Sequence, residues 1–179
     1  VKIIDENLET PEIFNFSGIN IIADDFKITG PEVEAEISQL SLLAKRGFSI
    51  KHLEGDFFYS VDGIVLKDMQ LETAGSKIKG DLELFHGGKG FSDFNNNVTI
   101  TADLENTEVL TNDINSFYNE FAVNQIIYVS GNFKGTLNNF NFLNGKLNTG
   151  LTRVLGDFTF KNLLAENEPY SINLENHNI

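Results

Sequence analysis

Long stretches of this chain alternate apolar and polar residues with a period of two. Phe14-Asn15-Phe16 and Val33-Glu34-Ala35-Glu36-Ile37 do so, as does Ile78-Lys79-Gly80-Asp81-Leu82-Glu83-Leu84. Val98-Thr99-Ile100-Thr101-Ala102-Asp103-Leu104 and Val154-Leu155-Gly156-Asp157-Phe158-Thr159-Phe160 repeat the pattern. Successive side chains of a strand point to opposite faces, so each run specifies a strand with one buried and one wet face. Turn dipeptides such as Asp62-Gly63, Gly87-Gly88 and Asn144-Gly145 separate the runs, as in an antiparallel meander. One segment departs from this. From Thr107 to Phe121 the residues Leu110, Ile114, Phe117, Tyr118 and Phe121 fall at helical spacing, with Thr111 or Asn112 as candidate N-caps. One short amphipathic helix is expected there, and strands nearly everywhere else.

The chain also repeats itself. At an offset of 76 residues, Gly55-Asp56-Phe57 falls on Gly131-Asn132-Phe133, and Leu71 and Thr73 fall on Leu147 and Thr149. Gly80-Asp81-Leu82-Glu83-Leu84 falls on Gly156-Asp157-Phe158-Thr159-Phe160 at the same offset. Upstream the offset is 65, where Val33-Glu34-Ala35 meets Val98-Thr99-Ile100; the eleven-residue difference lies where the helix is expected. The organisation read from this is an N-terminal set of strands over 1–30, continuing from a preceding repeat, and a first β-meander over 31–91. A second meander follows over 96–162, with its helical insertion near 107–121, and 163–179 begins a following strand. A short meander with one apolar face is not stable alone, so copies stack edge to edge and bury a continuous face. Within 64–71 the apolar parity shifts from Ile64 and Leu66 to Met69 and Leu71, which a bulge or a tight turn at Lys67-Asp68 would explain. Bulged, alternating strands curl. The expected fold class is therefore all-β: a curved antiparallel β-sheet trough, apolar inside and polar outside, with one short α-helix.

Composition narrows the function classes. In 179 residues, 26 Asp and Glu outweigh 13 Lys and Arg, for a formal charge of −13. Phosphate neutralisation needs basic residues, so nucleic acid is not an expected partner. The absence of Cys excludes disulfides, thiolate metal sites and cysteine nucleophiles. Sixteen Phe stand beside four Tyr and no Trp, an aromatic set almost without polar handles. Nineteen of 22 Asn follow residue 90, suiting turns and left-handed backbone. No apolar run approaches the roughly 18–20 residues that span a bilayer, and a secretory leader is not evident at the N-terminus. The chain runs from Val1 directly into acidic, strand-like sequence and reads as a mature or excised segment of something longer.

A search for chemistry yields little. His52, His86 and His177 are isolated, and histidines in turns and tails are expected to be solvated rather than metal-bound. Acids such as Glu32, Glu34, Glu36, Asp81 and Glu83 alternate with apolar residues, as on a solvated outer face, rather than forming a glycosidase pair. Gly87-Gly88-Lys89-Gly90 reads as a hairpin loop not followed by a helix, hence not a phosphate cradle. The sequons at Asn15 and Asn97 are the number chance gives in so Asn-rich a chain. No enzyme activity, metal or cofactor is expected.

The apolar stripe remains as the candidate functional surface. From the first meander it comprises Phe57, Ile64, Leu66, Met69, Leu71, Ile78, Leu82 and Leu84. From the second it comprises Phe133, Leu137, Phe140, Phe142, Leu147, Val154, Phe158 and Phe160. The stripe suits either a closed hydrophobic core or an open groove holding acyl chains or an apolar strand.

The segment Asp25-Phe26-Lys27-Ile28-Thr29-Gly30-Pro31 through Lys45-Arg46-Gly47-Phe48 leads into Ile50-Lys51-His52-Leu53-Glu54-Gly55 and then Leu66-Lys67-Asp68-Met69-Gln70-Leu71-Glu72-Thr73-Ala74-Gly75-Ser76. This succession resembles the TamB family of translocation and assembly module proteins, AsmA-like repeating β-groove proteins, in the form found in Bacteroidota. The likeness extends over about residues 13–179, including Gly131-Asn132-Phe133-Lys134-Gly135-Thr136. It implies a section of a periplasm-spanning β-taco that conducts phospholipids between inner and outer membrane. Phospholipid acyl chains and a BamA- or TamA-like outer-membrane barrel are the implied partners. The full-length protein would be anchored in the membrane through parts outside this segment. The apolar stripe of the two meanders would line the groove. Three alternatives stand beside this. They are an outer-membrane protein assembly factor working by β-strand templating, a closed β-sandwich adhesion or scaffold module, and a jelly-roll carbohydrate enzyme.

Overall fold

A computed structural model describes residues 2–5, 12–44, 49–91, 93–115, 121–164 and 169–175. Among these residues eleven strands follow one another in sheet order as they do in the chain, each antiparallel to its neighbours. They are β1 (Lys2–Asp5), β2 (Glu12–Thr29), β3 (Glu32–Ala44), β4 (Ser49–Ser60), β5 (Gly63–Thr73) and β6 (Lys77–Phe85). The second half contributes β7 (Thr99–Leu110), β8 (Ile126–Gly135), β9 (Phe140–Asn148), β10 (Arg153–Lys161) and β11 (Ser171–Glu175). The sheet is curved and does not close into a barrel: β1 and β11 are its two edges.

Each strand packs chiefly against its neighbours in sequence, so the described residues form a single layer. Its accessible surface is 11587 Å². A compact protein of 20.0 kDa would expose about 8,700 Å². The buried apolar set is correspondingly small: Ile37, Leu53, Met69, Val98, Ala102, Phe142 and Phe158 among the described residues.

Helix is scarcer and differently placed than the apolar spacing implies. Thr107–Leu110, expected to open the helix, instead completes β7, where Thr107 to Leu110 pair with Val129 to Ile126 of β8. Helix α2 covers Thr111–Asn115, and residues 116–120 lie outside the described set. The Thr111 hydroxyl donates to the Ala122 carbonyl (2.6 Å) and accepts from the Gln125 amide (3.1 Å), pinning the following loop. A second short helix, α1 (Phe94–Asn97), follows the glycine-rich loop that the sequence reads as leading to none. Asp113 of α2 accepts hydrogen bonds from the Thr73 and Ser76 hydroxyls and thereby clamps the β5–β6 turn.

A line of bulges crosses the sheet. Asp25 in β2, Asp68 in β5, Asn106 in β7 and Asn144 in β9 have left-handed backbone, with φ of 50, 50, 46 and 52°. Strands β4, β6, β8 and β10 place Gly55, Gly80, Gly131 and Gly156 on the same line, with φ of 143, 135, 140 and 151°. The registers jump there, for example between Leu66 and Met69, Leu104 and Thr107, and Gly156 and Phe158. Two residues oppose one at each of these three jumps, which bends the bulged strand. The bulge expected at Lys67-Asp68 is thus one member of a seam.

A candidate apolar groove

Directly paired residues of antiparallel strands share a face, so the registers define the surface. One row runs Ala35, Phe57, Leu66, Leu82, Ala102, Phe133, Phe142, Phe158, Leu174 from β3 to β11. Beside it, two residues along each strand, runs Val33, Tyr59, Ile64, Leu84, Ile100, Gly135, Phe140, Phe160, Ile172. Tyr59 supplies the one polar side-chain group on these two rows. The reverse face of the same strands carries Glu34, Phe58, Val65, Glu83, Thr101, Lys134, Asn141, Thr159 and Asn173 as a paired row. Binary patterning along each strand has therefore produced an apolar face and a largely polar one.

Of the sequence-derived candidates, Phe57, Ile64, Leu66, Leu82, Leu84, Phe133, Phe140, Phe142, Phe158 and Phe160 fall on the two rows. Met69, Leu71, Ile78, Leu147 and Val154 continue the surface across the seam, where Leu71 pairs with Ile78 and Leu147 with Val154. Leu137 does not join them: it sits half-buried in the β8–β9 turn, closed by the Thr136 amide on the Asn139 carbonyl (2.9 Å). The sequence-derived set omits Val33, Ala35, Tyr59, Ile100, Ala102, Ile172 and Leu174. Alternation in their own strands signals the first five, and position opposite Phe158 and Phe160 brings in the last two.

The second half of the face is an aromatic floor. Phe133 stacks on Phe140 with centroids 4.4 Å apart, and Phe140 on Phe160 at 4.3 Å. Phe142 and Phe158 lie 6.2 Å apart. A Cβ placed on Gly145 would meet both of their rings, at 2.7 and 2.8 Å. The glycine thus seats them against bare backbone, which explains how side chains 7% and 6% exposed occur in a single-layer sheet. The first half of the face is mainly aliphatic, with Phe57 and Tyr59 of β4 as its aromatic members.

The reverse face holds the ionic chemistry. Asp81, opposite the β5 bulge, accepts from the Lys67 ammonium (2.8 Å) and from the Asp68 amide (2.9 Å). The Lys67 hydrogen bond, then the Asp68 amide, hold the Asp81 carboxyl below its ordinary range; the same pairing raises Lys67. A hollow of about 360 Å³ opens beside this pair, lined by Asp68, Met69, Gln70, Lys79, Gly80, Asp81, Asp103 and Glu105. No group of three or more His, Asp or Glu suited to a metal occurs among the described residues. His52 pairs with Glu54 (3.0 Å). His86 departs from the solvated state expected of a turn histidine. It is buried, accepts the Gly90 amide at Nδ1 (3.1 Å) and meets the Phe91 ring edge-on at 4.8 Å. His177 lies outside the described residues.

The chain matches no protein-family model, no curated protein and no solved structure.

Proposed function

We propose that this chain is a section of a TamB-like periplasmic conduit whose apolar face carries phospholipid acyl chains between the inner and outer membranes. The supporting observation is the pair of unbroken apolar rows from β3 to β11 on a sheet that forms one layer. Covering such a face with hydrocarbon is worth about 25 cal/mol per Å² removed from water, or ~0.8 kcal/mol per methylene. The gain is similar at every strand because the rows offer dispersion contacts and almost no hydrogen-bonding group to hold a cargo at one place. Headgroups would remain with the acids and amides of the polar face and lips. The mechanism is passive and non-enzymatic. An outer-membrane barrel of the BamA or TamA kind is the proposed receiver, with membrane anchorage supplied elsewhere in the protein.

The test is native mass spectrometry of the chain purified without detergent from a lipid-containing extract, beside Leu82→Glu, Phe140→Glu and the reverse-face control Thr101→Glu. Bound phospholipid is expected in the parent chain and control and at least tenfold less in the two groove variants, with circular dichroism unchanged. Equal lipid in all four, or none in the parent, refutes the reading.

A second reading rests on β2. Strand β1 pairs with its residues 12–15, whereas from Ser17 to Thr29 no described strand pairs with its outer edge. Ile21, Phe26 and Ile28 are 55%, 63% and 62% exposed along it. Such an edge suits templating of a client strand during outer-membrane protein assembly. Under that reading, Thr101→Glu and Leu82→Glu both preserve client binding, and a proline at Ile22 abolishes it.

A further inference from the structure

We propose that the bulge seam is a hinge about which the trough opens and closes, and that Asp81, Ser130 and Asp157 are the latches that set its angle. Three bulges share one construction. Lys67-Asp68 faces Asp81 alone, Glu105-Asn106 faces Ser130 alone, and Leu143-Asn144 faces Asp157 alone. In each, the left-handed residue turns its amide out of the strand ladder toward the side chain of that single opposing residue. Asp68 donates to Asp81 Oδ1 (2.9 Å), Asn106 to Ser130 Oγ (3.1 Å) and Asn144 to Asp157 Oδ1 (2.7 Å).

Several features make this line the compliant part of the molecule. The ladder is interrupted along it in strand pair after strand pair, whereas on either side the registers of β5–β6, β7–β8, β8–β9 and β9–β10 are regular. Strand-to-strand packing joins chain neighbours, so a second sheet does not brace the bend among the described residues. The latches lie on the solvated face: Asp81 is 39% exposed, so water can replace it as its bond to the bulge opens. The glycines opposite the bulges have the backbone freedom that a change of bend requires. Bulges in antiparallel sheets change strand direction locally, and a series of them in register concentrates bending into one line.

The hinge is a property of the empty trough, so it is tested without lipid and stands or falls independently of the cargo. Because the chain contains no Cys, labels can be placed cleanly. One pair, Val61→Cys with Ala74→Cys, flanks the β5 bulge; the other, Leu151→Cys with Lys161→Cys, flanks Gly156 in β10. Spin-label distances are compared in the parent chain, Asp81→Ala and Asp157→Ala, with the acceptor-retaining Asp81→Asn and Asp157→Asn as controls. Arms of roughly 20 Å swung through roughly 15° change the separation by about 3 Å. Each Ala variant is expected to shift by that amount and broaden the pair spanning its own seam position, leaving the other pair unchanged. The Asn variants are expected to match the parent. Unchanged distances in the Ala variants, with strand amides still protected from exchange, overturn the proposal. So does wholesale loss of strand protection, which would make the latches structural pins rather than stops on a hinge.

Discussion

Gly80→Ala tests whether the seam is built on backbone that other residues cannot adopt. Gly80 has φ 135°, a region that a side chain occupies at a cost of about 1–3 kcal/mol. Sterics add to this. A Cβ on Gly80 would lie 1.7 Å from the Asp103 carbonyl oxygen and 2.8 Å from its carbon, both backbone of the adjacent strand. The β6–β7 ladder must separate by more than an ångström to admit it, and each ladder hydrogen bond lost costs about 1 kcal/mol. The expected destabilisation is therefore about 3–5 kcal/mol, a large part of the roughly 5–15 kcal/mol that holds a domain folded. Gly30→Ala is the comparison. Gly30 has φ 60°, but nothing lies within 4 Å of its Cβ position, so the conformational cost of about 1–2 kcal/mol acts alone. Urea melts followed by circular dichroism give the totals, and amide exchange gives the place. Gly80→Ala should lose protection on both sides of the β6–β7 seam, and Gly30→Ala should lose it at the β2–β3 turn alone. Equal losses in the two variants, or under about 1 kcal/mol for Gly80→Ala, would refute the argument from close backbone approach.

Phe142→Ala should cost about 2–4 kcal/mol in urea melts and Phe57→Ala roughly half that, because Phe142 is buried over Gly145 and Phe57 is half-buried. Asp113→Ala leaves the Thr73 and Ser76 hydroxyls without their acceptor at α2 and should cost about 1–3 kcal/mol. Amide exchange should then quicken at Ser76 and Leu110 while β9 and β10 are unaffected. Asp81 also predicts a pH dependence. Its folded pKa is held down by the Lys67 bond and the Asp68 amide, so its contribution is complete above the unfolded value of about 4 and fades as pH falls through the lower folded one. Urea midpoints of the parent and Asp81→Asn should differ at neutral pH and converge in acid; a constant difference would refute the assignment. The effect is small, since the carboxylate is substantially solvated.

What the sequence makes legible is what a strand encodes locally. Ile64, Leu66, Leu82 and Leu84 announce their shared face by alternation alone, and Asp62-Gly63 announces the turn that brings them together. The errors lie where partners decide. Thr107–Leu110 has residues at helical spacing, yet β8 offers these residues a ladder, and pairing with Val129 to Ile126 overrides the local preference. His86 looks like a solvated turn residue until the chain folds Gly90 and Phe91 back over its ring. Leu137 has the right parity but stands two residues beyond the end of β8, where the face has already given way to a turn. Open groove against closed core was illegible for a deeper reason. Alternation states that a face is apolar and says nothing of what covers it, because coverage depends on residues distant in sequence.

The seam resolves a conflict that any curved trough of this kind must meet. Bending needs irregular backbone, and a one-residue irregularity in a strand turns every later side chain to the opposite face. An apolar groove could not survive that. Here each bulge inserts a residue and simultaneously restores the parity: Leu66 and Met69 are three apart yet pair with Leu82 and Gly80, which are two apart. Phe142 and Gly145 bear the same relation to Phe158 and Gly156. The left-handed residue absorbs the extra step, which is why Asp68 and Asn144, types that tolerate this conformation, stand at these points. The opposing residue must then present a polar acceptor to the displaced amide, and Asp81 and Asp157 do so from the reverse face without intruding on the apolar one. A break in apolar parity, an Asp or Asn inside it, and Gly-Asp on the next strand thus form one signal for a sheet that bends while keeping its groove continuous.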